Sequence, residues 1–517
     1  MKVEKNAIIL AAGFGMRMVP INTMYTKGML EVNREPLAER LICQLLEAGI
    51  TDIRIVVGFM KEEYEYLIDK YNVKLIVNRA YMEKNNLHSL KLAAKYIGNS
   101  YIIPCDVWCG ENPFLEEETE SWYMVNDLVD EESIFRLNRK NHLNVIGKDS
   151  AGNGMVGIAY INEEDAKWLT GEISSLCSDP NYDDCFWEQA LIDDNKMRIK
   201  AKVVHSAQFV EINTYEQLRE LDEHSDQLKS DAIATICRVL GAHRAEVTGI
   251  TVLKKGMTNR SFLFTCKGER YIMRIPGEGT DMLINRREEA EIYDIINGTG
   301  ICDDIAYINP ENGYKITKYL EGARVCDPLN TDDLEKCMAK LRNFHNMKFK
   351  VRHRFDIFEK IEFYESLWKH DRSIYKNYER TKSGVMLLKE YIDSQEKTEC
   401  LTHIDAVPDN FLFVGDDIRL IDWEYSAMQD PHIDIAMFCI YALYDREQID
   451  RLIDIYFENK CSEAVRTKIY CYIAACGLLW SNWCEYKLDL GVEFGEYSLC
   501  QYRYAKDYFK IASERIS

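Results

Sequence analysis

Through its first 220 residues the chain alternates two hydrophobic periods. The short apolar runs NAIIL, DIRIVVG, VKLIVN and YIIPC fit strands. Between them PLAERLICQLLEAG, KEEYEYLIDKY and NNLHSLKLAAKYIG carry apolar residues three and four apart and fit helices. Such alternation predicts βαβ units and an α/β fold with a doubly wound, mostly parallel sheet. The polar run DEHSDQLKS at 222–230 reads as a boundary, giving expected domains of 1–224 and 230–517. In the second, TGITVLKKGMTNRSFLFTCKGERYIMRI predicts antiparallel strands with short turns, and RREEAEIYDIIN a helix. After YKITKYLEG the pattern is mainly helical, making this half α+β.

One hairpin interrupts the helical part. FLFV (411–414) and IRLI (418–421) flank the turn residues Gly415-Asp416-Asp417. The ladder then brings Asn410, before the first strand, beside Asp422, after the second, with Asp405 one short loop away. Two carboxylates and an amide form an oxygen-rich set that suits Mg2+.

The first half has its own candidate chemistry in LAAGFGMRMVP and Thr26-Lys27-Gly28. A glycine loop after a strand lets backbone N–H groups approach phosphate, and Arg17 and Lys27 add positive charge. A dinucleotide fingerprint would need a third glycine where Met18 stands. Asp106 closes the strand YIIPC, and ligands of open α/β sheets gather at strand carboxyl ends.

Composition narrows the classes. With 64 basic and 85 acidic residues the net charge is −21, which argues against a nucleic-acid groove. The 17 cysteines include no CxxC pair, and the N-terminal apolar run is too short for a signal segment, so reduced thiols in the cytoplasm are expected. The most apolar stretch, 469–483, is shorter than a membrane span, and no membrane insertion is expected.

His403-x-Asp405-x4-Asn410, followed by the hairpin and Asp422, resembles the core of the aminoglycoside-phosphotransferase and choline/ethanolamine-kinase group, relatives of protein kinases, over roughly residues 240–510. The resemblance implies a two-lobed kinase-like domain in which Asp405 orients a hydroxyl and accepts its proton. Asn410 and Asp422 would hold Mg2+ on ATP, while His403 braces the loop. It places Thr258 and Asn259 in a phosphate-covering turn, Arg274 on phosphate with Glu289 (or Glu288) as partner, and adenine against Lys318, Tyr319 and Leu320. IDWEYSAMQDPHIDIAMF resembles the choline/ethanolamine version of this region. Trp480 and Trp483, three apart on a helix, with Tyr425, Tyr497 and the charge of Glu424, would then surround a quaternary ammonium.

The run to about residue 220 resembles nucleotide-sugar-type nucleotidyltransferases, and more closely the bacterial CTP:phosphocholine cytidylyltransferases. That implies a nucleotide pocket of Ala11, Ala12, Gly13, Gly15, Asn85 and Asn86, with Arg17 and Lys27 on the triphosphate. Mg2+ would sit on Asp106, with Glu211 or Asn213 as second ligand, because Glu211-Ile212-Asn213-Thr214 has Asn where related enzymes often carry Asp. Trp187 and Glu188 would face the trimethylammonium end of phosphocholine. Together the two resemblances imply conversion of choline, ATP and CTP, through phosphocholine, into CDP-choline. Ethanolamine or another amino alcohol as substrate, and a sugar-nucleotide transferase fused to an aminoglycoside-type kinase, remain as alternatives, as does a nucleotide-responsive scaffold.

Overall fold

Strand β1 (Asn6–Ala11) is apolar on both faces, with Ala7, Ile8 and Ile9 wholly buried, so it belongs in the interior of a sheet. In the computed structural model it pairs in parallel with β2 (Asp52–Val57) on one side and β4 (Ser100–Pro104) on the other. β3 (Lys74–Val77) extends the parallel set beyond β2. Helices α1 (Leu37–Glu47) and α2 (Asn86–Ala93) make crossovers, α1 burying Leu37, Ala38, Leu41, Ile42 and Leu45 along one stripe. The structure describes residues 4–516 except 14, 16, 17, 22–24, 132, 148–150, 254–258, 278, 279, 281, 282, 491 and 493.

Past β4 the doubly wound pattern gives way to a mixed sheet. The short strand β5 (Val107–Cys109) leaves it. The sheet continues with β6 (Trp122–Asp130), β7 (Phe135–Leu137), β8 (His142–Val145), β9 (Gly152–Ile161) and β10 (Lys196–Val204), and its order is β3-β2-β1-β4-β9-β6-β10-β8-β7. β9 runs antiparallel to β4 and β6, and β10 runs parallel to β6. β5 instead pairs antiparallel with β11 (Phe209–Glu211), Glu211 opposite Val107, which carries the chain end of this region back to Asp106.

Two compact units result, one of Met1–Lys254 with Phe264–Lys267, the other of Lys255–Leu263 with Gly268–Ser517. The helix Asp231–Leu240 and the strand Val247–Val252 thus count with the first unit. Side chains from α3 (Tyr215–Leu221) hold that strand: Arg219 donates to the Val247 carbonyl and Glu216 accepts from the Ile250 N–H.

In the second unit β12 (Glu269–Pro276) pairs antiparallel with β14 (Lys315–Lys318), and β14 with β13 (Ile305–Ile308). Helix α4 (Arg286–Ile296) buries Glu289 among Ile292, Tyr293 and Ile296. The rest is helical, with α5 (Thr331–Asn346), α6 (His432–Tyr441), α7 (Glu463–Leu488) and α8 (Glu496–Ile516). The hairpin forms as expected from β15 (Phe411–Val414) and β16 (Asp417–Leu420), Phe411 opposite Leu420, with Gly415 in the left-handed region its turn requires. α7 is buried on nearly every side, yet no helix among the described residues is long and apolar enough to cross a membrane.

α7 and α8 approach closely at Gly477. A Cβ there would stand 2.7 Å from the Gln501 carbonyl oxygen and 2.8 Å from the Tyr504 Cβ, atoms that cannot swing aside. Gly477→Ala gains helix propensity of about 1 kcal/mol but overpacks a closed interface at a cost of about 1–3 kcal/mol. We expect net destabilisation, seen as a lower midpoint in urea or heat denaturation.

Candidate active sites

In the second unit the turn after β16 and the loop before β15 meet. The Ile421 N–H donates to the Asn410 carbonyl, closing the ladder one residue beyond the strands. Asn410 Nδ2 donates to the Asp405 carbonyl (2.9 Å) and to Asp405 Oδ2 (3.2 Å), so its own Oδ1 is turned elsewhere. Ile404 and Asp422 both adopt the left-handed region, with φ of 68° and 67°. Side chains rarely tolerate that conformation, and it is stored where a site over-determines the backbone.

Asp434, at the start of α6, supplies that restraint. Wholly buried, it accepts from the N–H groups of His403 (2.9 Å) and Ile404 (2.7 Å) and meets His345 Nε2 at 2.9 Å. His403 braces the loop from its other side, its Nε2 on the Ile421 carbonyl and its ring edge-on to Trp423. Burial pulls its pKa down to about 4, which keeps it neutral. For Asp405, burial and then the charges of Asp422 and Glu424 push the pKa up to about 8. A cation on Asp422 would remove part of that repulsion.

Arg274 and Glu289 form a buried two-pronged pair, Nη2 to Oε2 at 2.8 Å, and Arg274 also donates to the Gly313 carbonyl. Burial raises the Glu289 pKa, but Arg274 outweighs it and holds the group at about 2. Arg274 Nη1 lies 4.0 Å from Asp422, so the expected phosphate cation and metal carboxylate share one place. Glu424, expected beside the ammonium, has its carboxylate on Arg286 and Asn259. In the expected adenine strip, the N–H groups of Lys318 and Tyr319 are taken by the carbonyls of Asp304 and Arg270; that of Leu320 has no partner among the described residues.

The aromatic residues picked from sequence come together in a continuous row. Tyr425 meets Trp480 edge-on (6.2 Å between centroids), and Trp480 meets Trp483 (5.3 Å). Phe494 then joins Trp483 to Tyr497, and Tyr441 packs on Tyr497. Burial raises the phenols of Tyr425 and Tyr497, with carboxylates that include Asp405 adding to it, and the row reaches the loop through Tyr441, whose hydroxyl donates to Asp409 Oδ2 at 3.1 Å. Trp480 remains half-buried, and Lys487 Nζ lies 5.5 Å from the Trp483 ring centre. Phe494 and Tyr441 escaped the sequence reading because neither has an apolar spacing that distinguishes it from core.

In the first unit Lys27 Nζ bridges Asp106 Oδ2 (2.6 Å) and Asn213 Oδ1 (2.5 Å), with Glu211 adding attraction. Burial alone would lower the Lys27 pKa; these acids outweigh it and the net shift is upward. The β5–β11 ladder explains the meeting, because the Ile212 N–H donates to the Asp106 carbonyl. Ala11 and Ala12 lie buried at the end of β1. Gly15 has φ of +66°, and a Cβ there would stand 2.9 Å from the Lys27 side chain, so glycine leaves the lysine its path. Arg17 and Thr258 lie outside the described residues.

Asn85 caps α2 and donates to the Asp184 carbonyl, while Asn86 Oδ1 accepts from the Trp187 N–H at 2.7 Å. The pair therefore ties the 183–187 segment to the start of α2. Trp187 itself is core, 1% exposed and packed on Tyr123. Glu188 accepts from the Tyr123 hydroxyl at 3.0 Å, and its second oxygen is buried without a hydrogen-bond partner.

Both sites fit a hard cation. Asp422 with the Asn410 oxygen, and Asp106 with Glu211, are oxygen donors only. Neither is a complete protein cage: among the described residues no three His, Cys, Asp or Glu side chains converge to hold a metal. Magnesium bound by one or two carboxylates plus substrate phosphates needs no more.

Two family models match the chain: the MobA-like NTP transferase domain over residues 7–126 and choline/ethanolamine kinase over residues 250–475. The choline-phosphate cytidylyltransferase of Streptococcus pneumoniae is 31% identical over 221 residues, 42% of this chain and 96% of its own. Protein LicA of Haemophilus influenzae is 30% identical over 257 residues, 47% of this chain and 95% of its own. The 2-aminoethylphosphonate cytidylyltransferase of Lancefieldella rimae is 30% identical over 227 residues, 42% of this chain and 92% of its own.

Glu188 gives the first unit a pH signature. Burial pushes its pKa up to about 7, whereas an unfolded glutamate titrates near ~4.3. Between these values the folded state binds more protons, so stability is full at low pH and falls as pH rises through 7, by about 3–4 kcal/mol in total. Glu188→Gln should flatten this slope in denaturation curves taken from pH 4.5 to 7.5.

Proposed function

The chain belongs to the nucleotidyltransferase family of the choline-phosphate cytidylyltransferases through its first half and to the choline/ethanolamine kinase family through its second, and from that premise we propose that it makes CDP-choline in two steps. The second half phosphorylates choline. Asp405 orients the hydroxyl and takes its proton as the oxygen bonds to the γ-phosphorus of ATP, and ADP leaves. Arg274, fixed by Glu289, faces the phosphates. Asp422 and the Asn410 oxygen would hold Mg2+, which supplies charge neutralisation on the phosphates. The observation that carries this reading is the meeting of Asp405, Asn410 and Asp422 beside a row of aromatic rings, because ring faces attract a trimethylammonium group and offer a primary ammonium few hydrogen-bond acceptors.

In the first half, the already anionic phosphocholine oxygen attacks the α-phosphorus of CTP and pyrophosphate departs, so no strong general base is required. Lys27 exchanges its hold on Asp106 and Asn213 for the triphosphate, and Asp106 with Glu211 would hold the metal. Glu188, with one oxygen unpartnered, supports the cationic end of phosphocholine. The Lancefieldella relative acts on an aminoethyl phosphonate, so 2-aminoethylphosphonate and phosphoethanolamine belong in the substrate panel.

The test is to supply choline, MgATP and CTP and to follow ADP, pyrophosphate and CDP-choline separately. Asp405→Ala should lower ADP formation by about 10²- to 10⁴-fold yet still permit CDP-choline from added phosphocholine. Asp106→Ala should leave phosphocholine to accumulate. Loss of both activities from either change in a folded protein overturns the two-site reading. In competition assays choline should outcompete ethanolamine.

A further inference from the structure

Beside Asp422 four charged side chains meet with almost no water. Arg274 is 4% exposed, Arg286 6%, Glu289 1% and Glu424 8%. Kinase chemistry as proposed above uses one pair of these, Arg274 with Glu289. Arg286 has no part in it, and Glu424, expected beside the ammonium, turns its carboxylate to Arg286 and Asn259 instead. Arg286 Nη1 donates to Glu424 Oε2 at 3.2 Å and to Glu289 Oε2 at 3.0 Å. Its Nη2 reaches Thr280 Oγ1 at 3.3 Å and Asn259 Oδ1 at 3.4 Å, while Asn259 Nδ2 donates to the same Glu424 oxygen at 3.1 Å.

The backbone makes room for this cation. Gly313 has φ of +68°, and a Cβ on it would stand 2.8 Å from Arg286 Cδ and 2.9 Å from its Nε. The same glycine's carbonyl accepts from Arg274. One turn thus seats both guanidinium groups.

Charge counting shows what Arg286 does. With it, Arg274 and Arg286, with Lys315 adding attraction for Glu289, face the buried carboxylates of Glu289 and Glu424 and the neighbouring Asp422. Without it, Glu289 and Glu424 would compete for Arg274, whose Nη1 already lies 3.7 Å from Glu424 and 4.0 Å from Asp422. An uncompensated buried carboxylate is strongly unfavourable, so Arg274 would be drawn toward Glu424 and away from its present place. We propose that Arg286 is a positioning residue for phosphoryl transfer: it satisfies Glu424 and one oxygen of Glu289, and so keeps Arg274 available to the nucleotide phosphates. Through Asn259 it also fixes the start of the strand Asn259–Cys266. Arg286 itself touches no substrate in this assignment, which rests on the kinase reading of the second half.

The experiment compares full-length wild type, Arg286→Gln, Arg286→Lys and the double variant Arg286→Gln/Glu424→Gln. MgATP binding is measured by calorimetry, and ADP formation with ATP and choline varied separately. Arg286→Gln should weaken MgATP binding at least tenfold and raise the KM for ATP in step, with the KM for choline within twofold of wild type. Arg286→Lys, which keeps the charge but can serve fewer acceptors, should fall between. The double variant should recover at least threefold of the lost ATP affinity, because removing Glu424 with Arg286 restores balance around Arg274. A merely structural role would show no such rescue and would move both KM values together. Pyrophosphate release from CTP and phosphocholine should stay at wild-type level in every variant. Wild-type MgATP binding in Arg286→Gln, or a double variant no better than the single, overturns the proposal; failure of wild type itself to bind MgATP overturns the kinase reading instead.

Discussion

Carboxylates placed close together in a poorly hydrated pocket repel one another, and each unit answers with a cation held between them. In the first, Lys27 joins Asp106 to Asn213 at hydrogen-bond distance with Glu211 nearby. In the second, Arg274 and Arg286 stand among Glu289, Glu424 and Asp422. Low dielectric makes these pairings strong, and it makes any unpaired member costly. The same groups that would bind metal and phosphate therefore need protein partners while the substrates are away. Each site is a set of charges already arranged for exchange, and the surrounding fold serves to keep that arrangement in register.

Much of this was legible in sequence because it is local. The hairpin of 411–420 follows from two apolar runs and a turn, and with it the nearness of Asn410 and Asp422. Arg274 and Glu289 lie on a strand and the helix after it, so their meeting needs only the order of the two elements. The parallel strands β1 to β4 likewise follow from alternation, since each strand–helix–strand step is completed within a few dozen residues.

What was hidden is long-range. Asp434 reaches the loop that carries Asp405 from 30 residues away, and its partner His345 lies 89 from it, with no pattern in either segment to link them. Arg286 looks like any charged residue at a helix start until its burial is seen. The antiparallel half of the first sheet was missed for a related reason: β9 pairs with β4 and β6 in an order that apolar runs cannot specify. Trp187, an aromatic residue next to an acid, carried the signature of a binding wall, yet the indole fills the core and only Glu188 keeps an unsatisfied oxygen.

Asp434 has one more consequence. Surface ion pairs such as Lys74 with Asp52 fade as dissolved salt gathers around them, because screening acts through water. Asp434 is shut away from water, and its bonds to His403 and Ile404 run to backbone N–H groups that bear no full charge. The loop that carries Asp405 is therefore anchored by contacts that dissolved salt screens little.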